Sequence, residues 1–207
     1  MKIVKPKISK FLDNIILTKQ LTSEDLSDFE ITDQDIDFGI ENIEFNGCKF
    51  VNVDFSKITL KNINLIDCIF EKCNLAGCDF SNRGIHRVKF DKCNMVGCNF
   101  ILSSLSDISI LESKCNYINF SDSKIKHFEI IDSTLREGRM VSSSLENGIF
   151  KNSDFEKTEF LNTKLKYIDF SSCNISNIHV SPNDIRGLII NSEQALDLIV
   201  LFGIIVK

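Results

Sequence analysis

Cys73-Asn-Leu-Ala-Gly-Cys78-Asp-Phe-Ser-Asn82 repeats one five-residue phrase twice: a small residue, an Asn or Asp, a large apolar residue, then two residues suited to a turn. With the large apolar residue as position 0, the phrase extends in both directions. Every fifth residue from Ile40 to Val180 is apolar, 29 positions without a slip. At 43% hydrophobic residues overall, chance would fill them all with a probability on the order of 10⁻¹⁰. Neither a helix (period 3.6) nor a strand (period 2) repeats every five residues, so the period predicts a solenoid.

Position −2 is a second ladder of small or β-branched residues. It reads Cys48, Val53, Ile58, Ile63, Cys68, Cys73 and Cys78, then later Ser103, Ser113, Ser123, Ser133, Ser143, Ser153, Thr158 and Thr163. Position −1 is often Asp or Asn and position +2 often Asn, Asp or Gly, types that hydrogen-bond local backbone and tolerate turns. Each unit therefore supplies two inward side chains and one corner. Seven of the eight cysteines sit at −2 and Cys115 at 0, where a thiol serves as a small buried hydrophobe. Metal or disulfide chemistry is the competing reading, and the spacings lack the tight pairs and His partners of zinc sites.

The pattern resembles the pentapeptide-repeat family, A(D/N)LXX, most closely at Cys73–Gly77 and Cys78–Asn82. That resemblance implies an all-β fold: a right-handed, four-sided parallel β-helix with four repeats per coil. The 29 positions would then make roughly seven coils, stacked over about 35 Å at a strand spacing of about 4.8 Å. The expected organisation is an N-terminal cap over 1–30, the β-helix over 31–182, and a capping and dimerisation module with a short helix over 183–207.

Three places disturb the pattern. Arg83 occupies a −2 slot, where an unpaired inward guanidinium is costly. With Gly84, His86 and Arg87 it is expected to form a local bulge or hinge that turns Arg83 outward, and a candidate partner site; an exposed coil end is the alternative. Phe128, also at −2, implies local widening. Residues 1–39 fall outside the strict register. Their five-spaced set (Phe11, Ile16, Leu21, Leu26, Ile31, Ile36) suggests an early coil around Ile31 and Ile36, one residue out of step, behind an irregular or partly helical cap.

At the C-terminus, Leu188–Ile190 reads as a short strand, Ser192 as a helix N-cap, Gly203 as the helix end and Ile204–Val206 as a final strand. The helix carries more apolar surface than one coil end can cover, which predicts a two-fold homodimer through Leu196, Ile199, Val200, Phe202, Ile204, Ile205 and Val206, with a helix packed flat in its own cap as the alternative. A Pro182 corner, Ile185-Arg-Gly187, a strand, Ser192-Glu-Gln-Ala195 and a Leu-rich helix ending Leu201-Phe-Gly203 resemble the C-terminus of Qnr-type quinolone-resistance proteins. Asp79-Phe-Ser-Asn82, His86-Arg-x-x-Phe90, Lys92-Cys-Asn94 and Gly97-x-x-Phe100 resemble the chromosomal Gram-positive members. The resemblance implies homodimers that bind DNA gyrase and topoisomerase IV and protect them from quinolones, partly by mimicking duplex DNA.

Two features depart from that picture. The unbroken register leaves no room for the projecting loops of several Qnr proteins. Residues 40–180 hold 18 acids and 17 bases, whereas a 35 Å duplex would carry about 20 negative charges. At 20 residues per coil, the face centred on 45, 65 and 85 nets +2, with Arg83, Arg87, Lys124, Lys126, Lys164 and Lys166. The face centred on 40, 60 and 80 nets −2, with Glu41, Asp79, Asp122 and Glu159, and adds the outward apolar residues Ile101, Leu102, Val141 and Leu161. Leu111 and Ile131 stack on the opposite side. Such stripes favour a protein partner over free DNA, with a scaffold for an unrelated protein as the alternative. His86, His127 and His179 lie on different repeats without a matched acid or nucleophile, so no enzyme, cofactor or metal is expected. No stretch of 18 apolar residues and no signal-peptide pattern occurs, which points to a cytoplasmic protein that does not enter the membrane.

Overall fold

The computed structural model describes residues 3–21 and 25–205. Its strands are β1 (Asp13–Asn14), β2 (Leu26–Ser27), β3 (Phe29–Thr32), β4 (Ile40–Asn46), β5 (Lys49–Val51), β6 (Leu60–Glu71), β7 (Gly84–Asp91), β8 (Ser104–Leu111), β9 (Lys124–Ile131) and β10 (Ser144–Lys151), followed by α1 (Ser192–Ile199). Every pairing is parallel. From β4 onward each residue meets the one 20 positions later: Ile40 with Leu60, Phe70 with Phe90, Leu105 with Ile125, Ile130 with Phe150. Single bridges such as Asn74–Asn94 and Asn99–Asn119 carry the same offset on the other two sides. Four five-residue units thus make one coil, and about seven coils make a β-solenoid.

The four sides differ, and position −1 accounts for part of the difference. From Cys73 to Lys151 two sides are strand and two bend at every unit. On many bent units an Asn or Asp at −1 accepts a hydrogen bond from the backbone N–H two residues on, as in Asp79 to Ser81 (3.0 Å) and Asn119 to Ser121 (3.0 Å); Lys114, Thr134, Arg139 and Glu159 take the same place without it. This local turn competes with straight pairing. Strand sides mostly carry Gly84, Ser104, Lys124, Lys89 or Ser109 at the equivalent place. In the last coil Asp169 brings the same turn, bonding the Ser171 N–H at 2.8 Å, onto a side that was strand up to Lys151.

Corners form at position +2, whose φ is positive at residue after residue: Asn62 (58°), Asp67 (52°), Leu102 (58°), Tyr117 (60°). For side chains other than Asn, Asp or Gly this left-handed geometry costs roughly 1–2 kcal/mol. The corner N–H offsets that cost by bonding the next coil, as Leu102 does to Ser121 (3.1 Å) and Tyr117 to Arg136 (2.9 Å).

Inside, rings stack at the rung spacing. Phe50, Phe70 and Phe90 lie 4.6 and 5.2 Å apart, and Phe80, Phe100 and Phe120 lie 5.1 and 4.9 Å apart. Beside them the serine column satisfies its own hydroxyls: Ser103 and Ser143 donate to the carbonyls of Phe80 and Phe120 (both 2.7 Å). The eight cysteines are buried free thiols, and burial pushes Cys78 and Cys115 up to about 12. Among the described residues no cluster of His, Cys, Asp and Glu is placed to hold a metal ion.

The bulge expected at Arg83 needs correction. No bulge forms at Arg83: Gly84 pairs with Ser104 in register, and the Ser104 N–H bonds the Arg83 carbonyl at 2.8 Å. The long side chain solves the problem instead, since the guanidinium reaches Asn62 on the preceding rung while Nε stays buried without a partner. Phe128 does not break the register either. Its ring fills the space above which Gly148 lacks a side chain; a Cβ there would lie 2.0 Å from the ring.

At the N-terminal end, Leu26 pairs with Phe45 and Ile31 with Phe50, offsets of 19 that place the one-residue slip before Ile40. Leu26, Ile31 and Ile36 are buried, but Phe11, Ile16 and Leu21 are exposed, so the five-spaced set holds only in its second half. Apart from β1, residues 3–20 are irregular, the first of the two forms expected of the cap, and a 3-10 turn begins at Leu21. Leu17 closes the coil with its backbone clasped by the Gln34 amide, which accepts from its N–H (2.9 Å) and donates to its carbonyl (2.6 Å). At the other end Asn191, not Ser192, is the N-cap of α1, forming a capping box with Gln194. Leu188–Ile190 is reduced to one bridge, Ile189 to Asp169, and Ile204 and Ile205 form no strand.

Candidate interaction surfaces

Helix α1 lies over the last coil through two side chains. Leu198 is buried, and the buried Gln194 Nε2 donates to the carbonyls of Phe170 (2.9 Å) and Cys173 (2.7 Å). Those carbonyls would otherwise face the open end of the solenoid. Several other apolar side chains of the module meet solvent: Leu196, Val200, Ile204 and Ile205 are 57%, 64%, 49% and 82% exposed. Ile199 is half-buried. Leu201, which the helical projection sets apart, joins the exposed group through the 3-10 turn Val200–Phe202. The Phe202 side chain and Val206 lie outside the described residues. A cavity of about 540 Å³ separates α1 from the last coil, between Ile175, Ile178 and His179 on one side and Leu196, Val200 and Leu201 on the other.

The register places Glu41, Ile101, Val141 and Leu161 in one outward column of a bent side, with Asp79 and Glu159 in the adjacent column and Asp122 at its corner. Glu41, Asp79, Asp122 and Leu161 are exposed; Ile101, Val141 and Glu159 are half-buried. Glu159 is neutralised by Arg139 one rung below (3.2 Å). Similar pairs join neighbouring rungs elsewhere: Lys92 to Glu112 (3.7 Å), Lys126 to Glu146 (3.0 Å). Each of these pairs sets opposite signs on neighbouring rungs.

Around Arg83 the structure shows a rigid sheet corner. His86 Nδ1 lies 2.7 Å from Ser106 Oγ, and Arg87 grips Asp67 with both Nε and Nη2 at 2.7 Å. Burial alone would raise the Asp67 carboxyl, but Arg87 and the Lys7 amide outweigh it and hold it below the ordinary carboxylate range. The N-terminal segment lies along this corner, where the Lys7 N–H donates to Asp67 Oδ1 (2.8 Å) and the Val4 N–H to Asp107 Oδ1 (3.0 Å). Sequence reading missed this contact because residues 1–10 have no periodicity. The lysine-rich, acid-free start was the available signal.

No helix among the described residues is long and apolar enough to cross a membrane. None of the curated proteins compared with the chain matches it significantly. The family model described as a pentapeptide repeat region matches residues 63–140, and that of the pentapeptide repeats, in eight copies, matches 43–82. Among solved structures, HetL, a pentapeptide-repeat protein of the cyanobacterium Nostoc sp. strain PCC 7120, aligns at 13% identity with a TM-score of 0.53, over 80% of this chain and 84% of its own. Trypsin-treated QnrB1, a plasmid-mediated fluoroquinolone resistance protein, aligns at 18% identity over 89% of this chain and 99% of its own, with a TM-score of 0.29. Residues 43–140 are thus a pentapeptide-repeat region, and the same 20-residue register carries that β-helix on to the C-terminal helix.

Proposed function

We propose that the protein is a non-enzymatic, cytoplasmic binding rod that pairs into a two-fold homodimer through its C-terminal module and docks on type II topoisomerases, DNA gyrase or topoisomerase IV. One observation carries this reading. The apolar residues Leu196, Val200, Leu201, Ile204 and Ile205 are exposed on a module whose Gln194 and Leu198 are already committed to capping the solenoid, and whose sequence resembles the dimerising end of Qnr-type proteins. A symmetric contact buries such a surface in both copies at once. Protection from quinolones follows from the same resemblance.

In this reading the rod imitates duplex DNA in shape and not in charge, because ion pairs between rungs break up any continuous negative column. The face of Glu41, Asp79, Asp122, Glu159, Ile101, Val141 and Leu161 is the candidate contact, with the rigid corner at Arg83, Gly84, His86 and Arg87 as a second. The near-neutral surface and the loop-free register favour one alternative, a scaffold for an unrelated protein. A gyrase supercoiling assay with and without ciprofloxacin separates the two. Inhibition or rescue at micromolar protein supports the topoisomerase reading, and the absence of both removes it.

A further inference from the structure

Residues 4–7 lie on the solenoid as a ligand would. Their contacts are backbone N–H groups held by carboxylates on two corners of one column, Asp107 for Val4 and Asp67 for Lys7. Those corners are two rungs apart, about 9.6 Å at the usual strand spacing. Three residues of polyproline-like chain rise about 9.3 Å, and Pro6, between the two donors, favours that conformation in itself and in Lys5. Ligand and track are commensurate. Between the carboxylates, Arg87 braces Asp67 from the intervening rung, so the acceptor oxygens are held before any segment arrives. With the segment in place Asp67 is 6% exposed, whereas the corner aspartates Asp122 and Asp132 are exposed. The occupying segment is lightly held, with Val4, Lys5 and Lys7 all exposed, as expected of a piece that opens far more readily than the solenoid beneath it.

We propose that the corner column of Asp67, Arg87 and Asp107 is a docking track for an extended, lysine- and proline-bearing segment of another protein, and that residues 3–8 occupy it in cis until such a segment displaces them. The resident stretch Ile3-Val-Lys-Pro-Lys-Ile8 defines the chemistry of the ligand: two free N–H groups three residues apart, a proline between them, and a lysine on either side of that proline. The site is independent of whether the rod serves a topoisomerase. Tethering in cis gives the resident segment an effective concentration of about millimolar, so a competitor in trans binds weakly to the unaltered chain.

The test uses the full chain and a fluorescent peptide of residues 2–10. Val4→Pro with Lys7→Pro removes both donors from the resident segment and leaves the track unchanged. Fluorescence anisotropy should show the peptide binding this variant at least tenfold more tightly than the unaltered chain. Adding Asp67→Asn and Asp107→Asn should weaken that binding at least tenfold without unfolding, because two charge-assisted hydrogen bonds become neutral ones and Asn occupies the equivalent corners at Asn62, Asn82 and Asn147. Equal affinity for variant and unaltered chain, no binding to the variant, or binding left unweakened by the Asn substitutions would each overturn the proposal.

Discussion

The two ends of the solenoid face one physical problem and resolve it differently. Both expose a raw coil edge, and both place a glutamine amide against backbone: Gln34 clasps Leu17, and Gln194 donates to Phe170 and Cys173. Both drop one leucine over the opening, Leu17 and Leu198. The N-terminal end then runs on along the outside of the rod, tied by Val4 and Lys7. The C-terminal end leaves an apolar cluster around Leu196, Val200 and Leu201 uncovered, while the N-terminal end exposes Phe11 and Ile16. Capping needs only one side of an element, and both ends carry apolar surface beyond it; at the C-terminal end that surface is gathered on one helical module.

The sharpest way to break this comparison is to remove the plugs. Leu17→Ala and Leu198→Ala should each cost about 2–4 kcal/mol, read as a fall in urea midpoint. A much smaller cost at one end would mean that its leucine does not close the coil. Between the ends, Gly148→Ala should cost about 1–3 kcal/mol by overpacking, since the new methyl meets the Phe128 ring. In a Phe128→Ile background, which repeats Ile108 one rung below, the same substitution should become nearly neutral in denaturant titrations. Gln34→Ala and Gln194→Ala come next, at about 1–3 kcal/mol each for carbonyls or N–H groups left without partners. If they prove silent, the glutamines are ornaments of the ends and not their caps.

The smallest effect concerns the N-terminal segment. Asp67 has a lowered folded value, so its contribution is complete above the unfolded carboxyl value of about 3.9 and is lost as pH falls through the folded value. The Arg87 guanidinium beside it stays positive throughout. The Lys7 amide resonance should therefore keep its bound position from neutral pH down to about 4. Below that it should move toward its unstructured value while the solenoid's amides hold. Movement that begins near neutrality would reject Asp67 as the anchor.

The sequence displays the solenoid openly because its cause is local and repeated: one apolar residue in five, a small neighbour, a turn-forming corner. Cys48 or Ser123 can be placed by counting alone. The early coil at Ile31 and Ile36 was legible for the same reason, despite its one-residue slip. Counting fails where one residue answers another that is far away. Arg83 violates its slot, but its remedy is Asn62 on the preceding rung, available because a long side chain can turn back past the corner. Phe128 is excused by Gly148, one coil later. The track at Asp67 and Asp107 needs a segment about a hundred residues from Asp107, in a stretch with no period to count. At the C-terminus the excess of apolar residues was visible, but which of them face inward depends on the true N-cap, Asn191, which rotates Leu198 and Gln194 onto the coil.

Sedimentation of the full chain beside a Leu196→Asp, Val200→Asp variant is the most direct check on the unequal ends. The intact protein should run as a dimer at micromolar concentration. The variant should run as a monomer with its unfolding transition retained, since both side chains face solvent and surface changes usually stay within about 0.5 kcal/mol. An intact chain that is already monomeric, or a variant that remains dimeric, would contradict the account.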